Sequence, residues 1–152
     1  MEAAKKRLIL IVDDHEDLRA VVRRYLESEG MDVDEAESGE DALVMLKANT
    51  PDAMVLDLQM PGISGESLID RMLAGEAPLV PTVILSGYPR QFEGLPKWLS
   101  TYTKGVDLAQ VVRGLRDAIE AFESPEVQVF LEMQDEVMKM RGIFQAAIHG
   151  RK

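Results

Sequence analysis

Apolar positions along the chain alternate between two rhythms. Leu8-Ile9-Leu10-Ile11-Val12 is a short, unbroken apolar run rich in branched residues, the pattern of a strand covered on both faces, as in a parallel sheet. It stops at Asp13-Asp14. Leu18, Val21, Val22, Tyr25 and Leu26 then recur at helical spacing up to Gly30, where a glycine can end a helix. The alternation repeats with a strand around Met31 to Ala36, followed by a helix opened by Ser38. That helix carries Ala42, Met45 and Leu46 on one face and is closed by Asn49-Thr50-Pro51. A strand from Ala53 to Leu58 follows, then the turn Met60-Pro61-Gly62, a helix through Leu68, Ile69, Met72 and Leu73, and a fourth strand, Thr82 to Leu85. Strands alternating with helices predict right-handed βαβ units, hence an α/β fold with a parallel sheet covered on both sides.

From Gly87 to Leu99 the pattern weakens, because Gly87, Pro89, Gly94 and Pro96 each disfavour a continuous helix; the segment predicts a loop or one short turn. A less regular fifth strand, Leu99 to Thr103, leads to a helix with Leu108, Val111, Val112, Leu115, Ile119 and Phe122 on one face. Ser124-Pro125-Glu126 is a fresh helix start, with serine as cap, proline at the first helical position and an acid in the first turn. The chain therefore divides into an α/β unit, residues 1–123, and a helical extension, 124–152.

Within the extension Phe130, Met133, Val137, Met140, Phe144 and Ala147 form a heptad-like stripe on one helix of roughly 24 residues, about 36 Å long. Such a stripe packs on its own domain, pairs with a second copy in a homodimer, or docks on another protein. Met133, Met138 and Met140 would adapt to any of the three. The order of charges, acidic first and basic later, would suit antiparallel pairing, and a homodimer through 124–152 is the expectation.

Composition narrows the classes. At 152 residues and 16.9 kDa the chain fits one domain with an appendage, and its 27 Asp and Glu against 17 Lys and Arg give a formal charge of -10. After residue 124 the acids Glu126, Glu132, Asp135 and Glu136 are matched by Lys139, Arg141, Arg151 and Lys152, so the excess lies in residues 1–123. With no basic run beyond Lys5-Lys6-Arg7, nucleic-acid binding is not expected. The absence of cysteine removes disulfides, thiolate metal sites and cysteine nucleophiles. No apolar stretch reads as a membrane span or signal peptide, and the expectation is a cytoplasmic protein.

The chemistry lies at strand ends. Asp13 and Asp14 follow the first strand and Asp57 lies near the end of the third; in an open parallel sheet those ends border the ligand crevice, so three carboxylates converge. Unit charges about 4 Å apart repel by about 4 kcal/mol at an effective dielectric near 20, so either a cation sits among them or their pKa values rise. An all-oxygen site with few protein ligands suits Mg²⁺. Ser86 follows the fourth strand and Lys104 the fifth, placing a hydroxyl and an ammonium at the same edge. A phosphoryl group on Asp57 would require such partners, with Asp57 as the nucleophile.

The chain resembles the receiver domain of bacterial response regulators, the CheY-like phosphoacceptor family. The resemblance is carried by Leu10-Ile11-Val12-Asp13-Asp14, by Val55-Leu56-Asp57-Leu58-Gln59-Met60-Pro61-Gly62-Ile63-Ser64-Gly65, by Thr82-Val83-Ile84-Leu85-Ser86-Gly87 and by Lys104, and it covers about residues 7–123. It implies a five-stranded parallel sheet of order 2-1-3-4-5. It also implies a two-component role in which Asp57 takes a phosphoryl group from a phosphohistidine of a sensor histidine kinase or phosphotransfer protein. Asp13, Asp14, Asp57 and the backbone carbonyl of Gln59 would hold Mg²⁺, and Ser86 and Lys104 would contact phosphoryl oxygens. Gln59 and Tyr88 occupy positions that tune phosphoryl lifetime in the family. Such a domain is a phosphoacceptor and not an enzyme with an external substrate.

Three departures qualify the resemblance. The Ser86 to Lys104 segment is short, which implies a reduced fourth helix. Gly105 stands where the family has proline after the lysine, implying a more mobile loop. The family's switch aromatic, three residues before the lysine, is Thr101 here, with Tyr102 beside it as a substitute or as core. These departures motivate an alternative, a receiver-like interaction module that no longer signals by phosphorylation. A haloacid-dehalogenase-like phosphatase would need an acid two residues after the nucleophile, where this chain has Gln59, and no Gly-x-x-x-x-Gly-Lys loop supports a kinase. His15 reads as a solvated loop residue and His149 as tail.

Overall fold

The computed structural model describes residues 5–87 and 95–149. Five parallel strands, β1 (Leu8–Val12), β2 (Asp32–Ala36), β3 (Ala53–Leu56), β4 (Thr82–Ser86) and β5 (Leu99–Thr103), pair in the order β2-β1-β3-β4-β5. The sheet is the expected one. Its register places Val12 beside both Ala36 and Leu56, and Ser86 beside Thr103, so the carboxyl ends of β1, β3, β4 and β5 share one edge.

Alternate residues of each strand feed opposite faces, which is why the strands are apolar throughout. On one face Leu10, Val12, Met54, Leu56 and Ile84 pack under helices α2 (Gly39–Ala48) and α3 (Gly65–Leu73). On the other, Ile9, Ile11, Val55, Val83 and Leu85 pack under α1 (Glu16–Ser28) and α4 (Leu108–Glu123). Full burial of one such side chain is worth about 1.5–3 kcal/mol, so these two layers hold the edge in place. Trp98, 2% exposed, stands just before β5 and meets Phe122 edge-on at 5.6 Å between ring centroids.

Ser38 and Ser124 cap the helices they were expected to open, and Ser64 caps α3 as well. Ser38, Ser64 and Ser124 each accept a backbone N–H of the first turn they precede. Between β4 and β5 the described residues form no helix; residues 88–94, and with them the expected reduction of the fourth helix and the role given to Tyr88, lie outside the described residues.

The extension corrects the expectation of one long helix. It forms two, α5 (Pro125–Leu131) and α6 (Gln134–His149), with the chain turning at Glu132 and Met133. Neither Gly nor Pro marks that break. The turn lets α5 stay against α4 while α6 crosses to α3, so both bury apolar surface on the same domain, which a straight helix could not do. Of the three occupants weighed for the stripe, its own domain accounts for four residues: Met140 and Phe144 are buried in the core, and Phe130 and Val137 pack against it, whereas Met133 is 51% exposed. Arg141 locks the arrangement with two hydrogen bonds to Asp70 on α3, at 2.7 and 2.9 Å, and Gln145 adds a third at 2.9 Å. No described helix is long and apolar enough to cross a membrane.

Candidate functional site: an acidic pocket at the carboxyl edge

Asp13 continues the β1 line, its N–H donating to the Ala36 carbonyl at 3.2 Å, and Asp57 continues β3, its N–H donating to the Val12 carbonyl at 2.9 Å. The ladder thus fixes two carboxylates side by side before any side-chain contact is made. Both are buried, Asp13 at 4% exposure and Asp57 at 2%, while Asp14 remains exposed. One oxygen from each of Asp13, Asp14 and Asp57, together with a ring nitrogen of His15, lie within 4.8 Å of one another.

Lys104 reaches into this cluster from the end of β5. Its Nζ lies 3.1 Å from Asp13 Oδ2 and 3.3 Å from Asp57 Oδ2. Ser86 is buried at the end of β4, and its carbonyl accepts the Lys104 N–H, so strand pairing brings hydroxyl and ammonium to the same edge. The Gln59 N–H donates to Asp57 Oδ1 at 3.2 Å. Side chains of Asp13, Asp14, Asp57 and Lys104 therefore meet, with the Gln59 N–H on Asp57 and the Ser86 backbone tied to Lys104.

The surroundings shift the Asp57 carboxyl upward. Burial is the main cause that pushes its pKa up, and the neighbouring Asp13 charge adds to it; the Gln59 N–H and the Lys104 ammonium pull the other way without cancelling the rise. Oδ2 of Asp57 accepts no hydrogen bond from the described residues; Lys104 faces it as an ion pair only. For Lys104, burial lowers the pKa, but Asp13 and then Asp57 outweigh it and hold the ammonium charged. The donor set, three carboxylates including a buried oxygen that accepts no hydrogen bond from the described residues, fits a small hard cation such as Mg²⁺.

The loop after Asp57 is shaped by close packing. Gly65 opens α3 so near the Asp57 backbone that a Cβ there would overlap the Asp57 carbonyl oxygen, and its N–H donates to the Leu58 carbonyl at 3.1 Å. Glu40 accepts the Ile63 N–H at 2.8 Å, which is the first reason its carboxyl is held below the usual range. Gly105, after Lys104, adopts φ +97°, a conformation closed to proline, whose ring fixes φ near -65°. Glycine is the residue that adopts this backbone conformation without strain. Tyr102 is half-buried, packs against the core on the α4 side and has its ring over Gly114; Thr101, opposite Ile84 on β4, faces the other layer.

Two features of the site are not apparent in the sequence. Arg19 donates to the Asp13 carbonyl at 2.7 Å and pairs with Glu35 on β2, which Arg23 also holds, at 2.7 Å. Arg19 and Arg23, four apart on an amphipathic helix, were the available signal. His15 is solvent-exposed as expected, yet its Nδ1 is 2.9 Å from Asp13 Oδ1 and 3.2 Å from Asp14 Oδ1. A large recess between Trp98, α4, α5 and α6 shares no lining residue with this cluster.

Comparison with known proteins agrees with this geometry. The model of the response regulator receiver domain family matches residues 9–95. Response regulator GacA of Pseudomonas syringae is 31% identical over 126 residues, covering 78% of this chain and 59% of GacA. The transcriptional regulator NtrC of Salmonella typhimurium is 24% identical over 146 residues, 91% of this chain and 30% of NtrC, and the gliding motility regulatory protein of Myxococcus xanthus is 39% identical over 85 residues, 55% of this chain and 11% of that protein. The chain thus spans under a third of those last two relatives. Among solved structures, the receiver domain of the hybrid histidine kinase CckA superposes with a TM-score of 0.62 at 30% identity, over 74% of this chain and 98% of that one. The receiver domain of Francisella response regulator 1452 gives 0.67 at 25% identity, over 76% and 98%. With the sheet order, the acidic edge and the matched family in agreement, this chain belongs to the response regulator receiver domain family.

Proposed function

We propose that the chain is a phosphoacceptor of two-component signalling, with Asp57 the residue that takes the phosphoryl group. The observation that carries this is the buried Asp57 carboxylate, which has one oxygen without a hydrogen bond and is faced by Lys104 and Asp13. The donor is a phosphohistidine on a sensor kinase or phosphotransfer protein. An Asp57 oxygen attacks phosphorus, the phosphorus–nitrogen bond breaks, and the imidazole leaves with the electron pair and takes a proton from solvent.

Asp13, Asp14, Asp57 and the backbone carbonyl of Gln59 would hold Mg²⁺, which when bound neutralises charge on the carboxylates and on the phosphoryl oxygens. The chain's own residues do the rest. Lys104, kept charged, supplies a cation to the transferred group, and the Ser86 hydroxyl supplies a donor from the next strand. Added charge of about -1.5 to -2 at Asp57 would draw both toward it, shifting the β4 and β5 loops. The output is then a protein contact, and the domain accepts phosphate without turning over an external substrate.

Amide NMR with Mg²⁺ and beryllofluoride, which mimics a phosphoryl group on aspartate, tests this account against a receiver-like module that has lost phosphorylation. Shifts spreading from Asp57 to Ser86 and Lys104 are expected. Shifts with Mg²⁺ alone and none added by beryllofluoride would favour the interaction module.

A further inference from the structure

We infer that His15 is a nitrogen ligand of the acidic pocket, so that this receiver binds a divalent transition-metal ion in a way that an all-carboxylate pocket would not. The inference rests on the metal site proposed above and adds a residue to it. His15 Nδ1 lies 2.9 Å from Asp13 Oδ1 and 3.2 Å from Asp14 Oδ1. Two ligands at right angles on an octahedral ion, each at about 2.1 Å, are about 3.0 Å apart, and two ligands across it are about 4.2 Å apart. The pairs just named match an octahedral edge, and the 4.8 Å spread of all four donor atoms exceeds the cross-ion span by only a few tenths of an ångström.

The placement is not casual. His15 precedes α1, and its backbone N–H donates to Asp13 Oδ1 at 2.8 Å, which holds the residue beside that carboxylate whatever its ring does. Lys104 takes the Oδ2 atoms of Asp13 and Asp57, leaving Asp13 Oδ1 on the side of the imidazole. Oδ2 of buried Asp57 accepts no hydrogen bond from the described residues and has only the Lys104 ammonium among them, 3.3 Å away, to offset its charge. Without metal, the ring N–H bonds the carboxylates. To bind metal, that proton moves to Nε2, and the exposure of the side chain, 65%, leaves Nε2 open to water.

Imidazole nitrogen favours ions such as Ni²⁺, Cu²⁺ and Zn²⁺ over Mg²⁺, which prefers oxygen. His15 would therefore raise affinity selectively for the former class. The experiment is calorimetric titration of the untagged full chain with Ni²⁺ and separately with Mg²⁺. Both are repeated on His15→Ala, on Asp57→Asn and on His149→Ala, which removes the one other histidine. Loss of a direct ligand should cost at least the tenfold or so typical of losing an outer-shell partner. The expected result is that His15→Ala weakens Ni²⁺ by about tenfold or more and Mg²⁺ by less than about twofold, with His149→Ala matching the wild type. Equal weakening of both ions, or no change in either, would overturn the role of His15 while leaving the carboxylate site intact. Failure of the wild type to bind either ion, or binding that survives Asp57→Asn undiminished, would overturn the site itself.

Discussion

Asp57 sits where its charge is least welcome, and that has a measurable cost. Burial and Asp13 raise its pKa above the ordinary carboxylate value. A group whose folded-state pKa is raised adds stability that is fully present below the unfolded pKa and lost as pH rises through the folded pKa. At neutral pH without metal, Asp57→Asn should therefore stabilise the fold by about 1 kcal/mol, a melting shift of about 2–4 °C for a chain of this size. The gain should shrink as pH falls through the raised folded value and be nearly gone at the ordinary carboxylate pKa; thermal melts at pH 7 and pH 4 check it. Glu35 runs the opposite way, because Arg23 first and Arg19 next hold its pKa down against the cost of burial. Its contribution is present above the ordinary carboxylate pKa and lost as pH falls through the lowered folded value. Glu35→Gln should cost about 1 kcal/mol at pH 7 and little in acid, and it should also loosen Arg19 from the Asp13 carbonyl. Urea titrations at the two pH values would show whether the difference vanishes in acid.

At the level of elements, the sequence carried the strands and the site but not the extension. Strand ends were legible at β1 and β4, whose apolar runs stop at Asp13 and Ser86, and in a parallel sheet those stops must share an edge; β3 ends at Leu56, two residues before the expected Leu58, so Asp57 stands just past it. Ser86 and Lys104 followed from the same logic. The break at Glu132 and Met133 was not legible, since no proline or glycine announces it and the heptad spacing runs through it. It is set by the distance between the α4 and α3 faces that the two halves must cover. Two predictions belong here. Phe144, 1% exposed, anchors α6, and Phe144→Ala should cost about 3 kcal/mol, with hydrogen exchange rising in α6 while β1 and β3 stay protected. Gly65→Ala must push the start of α3 away from the Asp57 backbone. An overpacking cost of about 1–3 kcal/mol is expected in urea titration, together with loss of phosphorylation that no change at the surface would explain.

At the scale of the molecule, the extension shares the core with the α/β unit, because Met140 and Phe144 join the same apolar layer as Leu10, Leu56 and Ile69. A chain ending at Glu123 should therefore melt lower and bind a hydrophobic dye through the uncovered α3 face, where an independent appendage would leave both unchanged. The exposed side chains left on the extension, Val129, Met133, Met138 and Ile143, are then the ones available to a partner. The carboxylate edge is built from the ends of β1, β3, β4 and β5, whereas those exposed residues lie on and between α5 and α6. The most direct test of the account is the intact mass of the full chain after incubation with a small phosphodonor such as phosphoramidate and Mg²⁺. The wild type should gain the mass of a single phosphoryl group, sensitive to chelation of the metal, and Asp57→Asn should gain none; equal labelling of Asp57→Asn, or no labelling of the folded wild type, would contradict it.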